Sequence, residues 1–221
     1  MNILILFIEI LLTFSLLLIC KKFLGKEGLI AWVGVVTVLA NIITAKTIDI
    51  FCITTTLGTV LFASTFLATD ILVENYSIKD AKKAIKIGLF ANIILIISTQ
   101  IALRYIPNST DYANDAMQTL FSLNLRISLA SMIMYYVANI ADVYLFSKIK
   151  KKTNGTKLWL RNNISTILCN CIENFGFISL AFAGIYDIKT IVVIALSTSI
   201  IEIIVAICDT PFLYLGCKIK N

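Results

Sequence analysis

The sequence predicts an all-α polytopic membrane bundle of about seven transmembrane helices. Three observations carry this. Of the 221 residues, 59% are hydrophobic and only 14% charged, against roughly 25% charged in ordinary soluble domains. Mean hydropathy is +0.92. Apolar runs near the roughly 20 residues that a spanning helix needs recur along the whole chain. The net charge of +6 does not point to nucleic acid, because most Lys residues flank apolar runs, where the positive-inside rule accounts for them. The chain reads as a single membrane domain over 1–221, with no room for a sizeable soluble unit.

The stretch 159–184 sets the functional reading. It is a single hydrophobic helix with a carboxylate, Glu173, near its middle. Asn163, Thr166, Asn170, Glu173, Asn174 and Phe177 recur at steps of three and four and share a face. A carboxylate at bilayer depth costs at least a few kcal/mol unless it meets partners or a wet cavity. A face of amides around it therefore predicts a polar pocket inside the bundle.

The other elements are read by what they offer that pocket. A first spanning helix over about 2–20 is followed by Lys21, Lys22 and Lys26. No positive charge precedes its apolar core, so it is read as a span and not a secretory signal. Glu9 within it is expected to reach water. The second helix, about 28–45, brings Thr37, Asn41 and Thr44 on one face. A third helix over about 50–73 begins in Thr54-Thr-Thr-Leu-Gly-Thr59, a stretch suited to local unwinding of the kind transporters use. It ends with Asp70 and Glu74 at the cytoplasmic edge, where Lys82 and Lys83 from a polar turn over 75–86 are expected to pair with them. A fourth helix runs to about Arg104, interrupted only by Asn92 and Gln100. The fifth, about 119–147, carries Ser128, Ser131, Tyr135, Asn139 and Asp142 on a polar face expected to meet Glu173, with Arg126 near its outer end. The last helix, from about 188 toward Gly216, places Thr198, Glu202 and Asp209 on one face. Pro211 is expected to kink or end it near Asp209.

Topology follows from the basic residues. Lys21, Lys22, Lys26, Lys79, Lys82, Lys83, Lys86, the 148–161 cluster, Lys218 and Lys220 fall on one side, with only Lys46, Arg104 and Lys189 on the other. The basic side is expected to be cytoplasmic, with the amino end outside and the carboxyl end inside.

Several function classes are disfavoured. There is no His, so Ser/His and Cys/His catalytic pairs are excluded. Asp70 with Asp142 lacks the motif context of an aspartyl protease. The six Cys are scattered, and Cys169 and Cys171 point to opposite sides of a helix, so no metal site and no cofactor are expected. No GxxxxGK[ST] run binds nucleotide. What remains is a small-molecule transporter whose amide-plus-carboxylate pocket suits a solute rich in N–H donors, with Tyr135, Phe175 and Phe177 available to stack a flat ring. A substrate-binding subunit of an ATPase-driven importer and a non-transport assembly protein stay open at this level.

Four segments in order, Phe66-Leu-Ala-Thr-Asp70, Arg126 with Asn139-Ile-Ala-Asp142, Cys169-Asn-Cys-Ile-Glu173 and Asp209-Thr-Pro-Phe-Leu-Tyr214, resemble the queuosine precursor transporter family, also called the vitamin uptake transporter family. The resemblance covers about 28–217 and implies a six-helix core, with residues 1–22 an added amino-terminal helix. It implies import of 7-deazapurines (deazaguanine bases, queuine or queuosine) across the bacterial cell membrane for salvage into tRNA, with the bilayer as the other partner, and no nucleic acid bound. It implies that Glu173 anchors the base and that Asn41, Asn139 and Asn170 orient it, with Asp142 and Arg126 as a gate or coupling pair. Asp70, Tyr135, Asn174, Glu202 and Asp209 complete the candidate substrate-binding set. Whether a coupling ion or an ATPase module drives uptake is left open. Glu202 stands where the family commonly carries a Lys before the last-helix proline, which leaves the preferred precursor open.

Overall fold

A computed structural model describes residues 1–51, 53–122 and 125–219, so Cys52 and Lys220 lie outside the described residues. The chain forms α1 (Asn2–Ile43), β1 (Thr47–Ile50), β2 (Ile53–Thr56), α2 (Thr59–Asn75), α3 (Ile78–Ala102), α4 (Asn114–Phe121), α5 (Leu125–Lys152), α6 (Leu158–Phe182) and α7 (Ile188–Lys218). Five helices, α1, α3, α5, α6 and α7, are long and apolar enough to cross a membrane. With 42 residues at about 1.5 Å each, α1 is twice as long as one crossing requires. It breaks at Gly25, whose φ of 60° and ψ of −138° no helix contains. The two halves of α1, together with α2, α3, α5, α6 and α7, make seven helical segments in the bundle.

The centre of the bundle is α2. Every residue from Ala63 to Val73 is buried, and α2 packs against α1, α3, α5 and α7. A helix apolar all round is an interior helix. Its hydroxyls stay dry by bonding to their own helix: Ser64 donates to Leu61 O, Thr65 to Phe62 O and Thr69 to Phe66 O. The neighbouring α1 adds one tie, Trp32 Nε1 donating to Ser64 Oγ at 2.9 Å.

Three boundaries differ from the sequence reading. Strands β1 and β2 run antiparallel, pairing Thr47 with Thr56 and Ile50 with Ile53, so the third helix starts at Thr59 and not near 50. β-branched Ile and Thr favour the pleated surface. The polar turn over 75–86 is almost entirely helix: Ser77 Oγ accepts from Asp80 N at 3.1 Å and donates to Asp80 Oδ2 at 2.7 Å, capping α3. The fifth helix is split, with α4 ending at Phe121 and α5 starting at Leu125. By contrast α7 continues past Pro211 toward the carboxyl end as expected, reaching Lys218.

The basic residues gather at one end. Arg161, 1% exposed, sends Nη2 to Glu74 Oε2 at 2.7 Å, with Lys150 Nζ on the same oxygen at 3.1 Å. Its Nη1 also reaches Gly155 O and Thr156 O, and its guanidinium lies over Phe146. Lys26 pairs with Asp80 at 3.3 Å, and Lys21, fully buried, donates to Gly216 O at 2.6 Å. Lys82 donates to Tyr144 Oη. The acids that Lys82 and Lys83 were expected to meet are therefore held otherwise: Glu74 by Arg161 and Lys150, and Asp70 in the core. Replacing Arg161 by Ala removes the buried partner of Glu74 and uncaps two carbonyls. Breaking a buried pair costs about 3–5 kcal/mol, and Lys150 stays on Glu74, so a loss of about 3 kcal/mol is expected. Thermal unfolding of the purified protein in detergent measures it.

Candidate substrate cavity

The amide and acid faces of α5, α6 and α7 come together, but in two places. The first is an open cavity of about 400 Å³ whose lining includes Asn41, Phe62, Asn92, Ser131, Tyr135, Glu173, Asn174, Phe177, Phe182, Thr198 and Glu202. The second is a buried cluster of Asp70, Asp142 and Asp209, each fully buried. On α5 and α7 the cluster follows Tyr135 and Glu202 toward the basic end by roughly two turns, about 10 Å.

In the cavity, Asn174 Nδ2 donates to Glu202 Oε2 at 2.7 Å and to Ser199 Oγ at 3.1 Å, tying α6 to α7. On the opposite wall Asn41 Nδ2 donates to Asn92 Oδ1 at 2.9 Å and to Thr37 O at 2.8 Å, tying α1 to α3. Aromatic rings supply flat surface: Phe62 meets Tyr135 edge-on at 5.8 Å and Phe177 meets Phe182 at 6.4 Å. Tyr135 is wedged over Gly88, where an added Cβ would overlap its hydroxyl and come to 3.1 Å from Thr37 Oγ1. Glu173 is different from all these. It lines the cavity, and no donor among the described residues holds its carboxylate. It is an acceptor left open.

The buried cluster is held from α6, while both carboxyl oxygens of Asp70 and one each of Asp142 and Asp209 meet no hydrogen-bond partner among the described residues. Thr166 donates to Asp142 Oδ1 at 3.5 Å, and Asn162 Nδ2 donates to Asp209 Oδ1 at 2.6 Å. Nearby on the same helices, Asn139 uses its Nδ2 on Tyr135 O at 3.0 Å. The carbonyl oxygens of Asn139 and Asn170, both buried, receive no donor among the described residues.

The structure thus brings Asn41, Tyr135, Asn174 and Glu202 to one cavity with Glu173. It places Asp70, Asp142, Asp209, Asn139 and Asn170 outside that lining. Arg126 lies at the far end of α6, with Nε on Leu180 O at 2.7 Å and Nη2 on Ala183 O at 2.8 Å, where a cation suits the helix C-terminus. Phe175 is not in the lining, although Phe177 is. Glu9 lines a separate smaller hollow with Asn2, Lys46 and residues of β1 and β2. Asn92, Phe62 and Phe182 are cavity residues that the sequence reading did not select. Asn92 carried a signal, being a buried amide within an apolar helix, whereas the two Phe carried none.

Comparison with known proteins agrees with this architecture. Residues 56–216 match the family described as "Putative vitamin uptake transporter". A "Probable queuosine precursor transporter" of Bacillus subtilis is 34% identical over 206 residues, covering 93% of this chain and 90% of the relative. A second protein of that name, from Haemophilus influenzae, is 29% identical over 133 residues, 60% of this chain and 54% of the relative. No solved structure matches.

Substituting Gly88 by Ala tests the cavity wall. The methyl group must push Tyr135 out of its seat, at an overpacking cost of about 1–3 kcal/mol. A lowered melting temperature together with weakened ligand binding is expected; an unchanged melting curve would show that α3 and α5 do not approach this closely.

Proposed function

This chain belongs to the vitamin uptake transporter family, and we propose that it is a plasma-membrane carrier importing a 7-deazapurine precursor of queuosine. The observation that carries the proposal is Glu173: an acceptor without a donor among the described residues, set in a cavity with aromatic and amide walls. A deazaguanine edge presents a ring N–H and an exocyclic amine side by side. Glu173 accepts both in parallel, and such charge-assisted pairs are the strong ones. The Asn41–Asn92 pair and Asn174 then orient the base, and Phe62, Tyr135, Phe177 or Phe182 stack on its plane. Asp70, Asp142 and Asp209, with Asn139 and Asn170, line the way toward the basic end in this reading. The names of the two relatives support the substrate class. The bundle contributes binding and a path, and no bond of the substrate is broken.

The orientation proposed is basic end inward, with the amino end outside and the carboxyl end cytoplasmic. Green fluorescent protein fused after residue 221 should therefore fluoresce, and alkaline phosphatase at the same place should be inactive. The reverse pattern would invert the assignment.

Uptake is tested in a bacterium that neither makes queuosine precursors nor carries its own transporter, by measuring queuosine in its tRNA. The chain should restore it from nanomolar deazapurine in the medium. A hydrogen bond to a charged group contributes about 1.5–3 kcal/mol, so Glu173→Gln should weaken uptake by roughly 10- to 150-fold. Failure to restore queuosine from any precursor, with the protein present in the membrane, would refute the substrate class.

A further inference from the structure

The cavity holds more carboxyl groups than a neutral base can use. One carboxylate, Glu173, suffices for the paired N–H edge of a deazaguanine. Yet Glu202 lines the same space from α7, and among the described residues no Lys or Arg lines it. Glu202 is not consumed by the fold. Asn174 donates to Oε2 alone, and no described residue donates to Oε1. Two carboxylates at bilayer depth repel each other and lose hydration, a cost that a neutral ligand leaves in place and a cationic one relieves. The aromatic walls point the same way, since ring faces attract cations. The two carboxylates sit on different helices, α6 and α7, so one ligand can engage both with separate groups.

We propose that the preferred substrate is a cationic deazaguanine carrying a primary ammonium on its five-membered ring, with Glu173 taking the guanine-like edge and Glu202 taking the ammonium. This rests on the deazapurine reading given above and narrows it. Glu202 is then the residue that sets selectivity among precursors, and Asn174 positions it by holding one oxygen and leaving the other for the ligand. The ammonium enters protonated and leaves protonated, so the step is binding alone.

Binding of three deazaguanines to the purified protein in detergent tests this. They differ only in the ring substituent: aminomethyl, hydroxymethyl and cyano. The wild-type protein should bind the aminomethyl base at least ten-fold more tightly than either neutral one. In Glu202→Gln the aminomethyl base weakens while the two neutral ones do not, and the ratio falls toward one. Glu202→Asp, which keeps the charge, retains the ordering. Equal binding of the three by the wild-type protein overturns the inference while leaving the deazapurine reading standing, and this comparison needs no variant. A preference that survives in Glu202→Gln overturns the role of Glu202. Binding of none of them overturns both readings.

Discussion

A hydrocarbon interior contains no water to satisfy a polar group, so each one that enters must find its partner within the protein. The bundle meets this constraint in graded ways from α2 outward. In α2 the hydroxyls of Ser64, Thr65 and Thr69 turn back onto carbonyls of their own helix, which lets a helix with every residue from Ala63 to Val73 buried carry polar side chains at little cost. One layer out, Asp142 on α5 accepts from Thr166 and Asp209 on α7 accepts from Asn162. Amides pair across helices, Asn41 with Asn92 and Asn174 with Glu202. Glu173 stands apart because its carboxylate lines the open cavity with no donor among the described residues, so the donor must come from water or a ligand.

The two ends of the bundle solve the same problem with full charges. At the basic end, Arg161 is held by a carboxylate, two loop carbonyls and an aromatic face. That geometry ties the α5–α6 loop to the end of α2. Lys21 reaches a backbone carbonyl near the end of α7, binding the first half of α1 to the last helix. At the other end Arg126 closes α6 by its carbonyls. These clamps fix α6 at both termini, so its midpoint carries Glu173 at a defined depth between α5 and α7.

Much of this was legible in the sequence, and the exceptions have physical causes. The face of α6 bearing Asn170, Glu173 and Asn174 was readable because polar residues at helical spacing stand out in an apolar run. The all-α membrane bundle was readable from the recurring apolar runs. The central place of α2 was not, since a helix buried all round has no polar stripe to reveal which neighbours surround it. Asp70 was misplaced for the same reason: its spacing from Glu74 resembles a helix end meeting water, and only the packing shows it at 0% exposure. The Thr47–Thr56 segment was ambiguous because Ile and Thr runs of this length suit either a strand or a buried helix start. Ser77 and Asp80 did carry a helix-start signal that the Lys-rich composition around them obscured. The separation of the acids into two groups was beyond reach, because residues seven apart share a helical face yet sit about 10 Å apart along the axis.

That separation has a mechanical consequence. Both groups draw on α6: Glu173 and Asn174 face the cavity, while Asn162 and Thr166 on the same helix hold Asp209 and Asp142. An α-helix is stiff over this length, because any shift at one turn is carried by the hydrogen bonds of the next. A ligand that draws Glu173 and Glu202 together therefore acts on α6 and α7 as whole rods, and the contacts of Asn162 and Thr166 with the buried acids feel the same displacement. Carriers that alternate between two faces rely on such rods rocking about a fixed midplane site. In this bundle the rod that holds the open acceptor is also the rod that holds the acid core together.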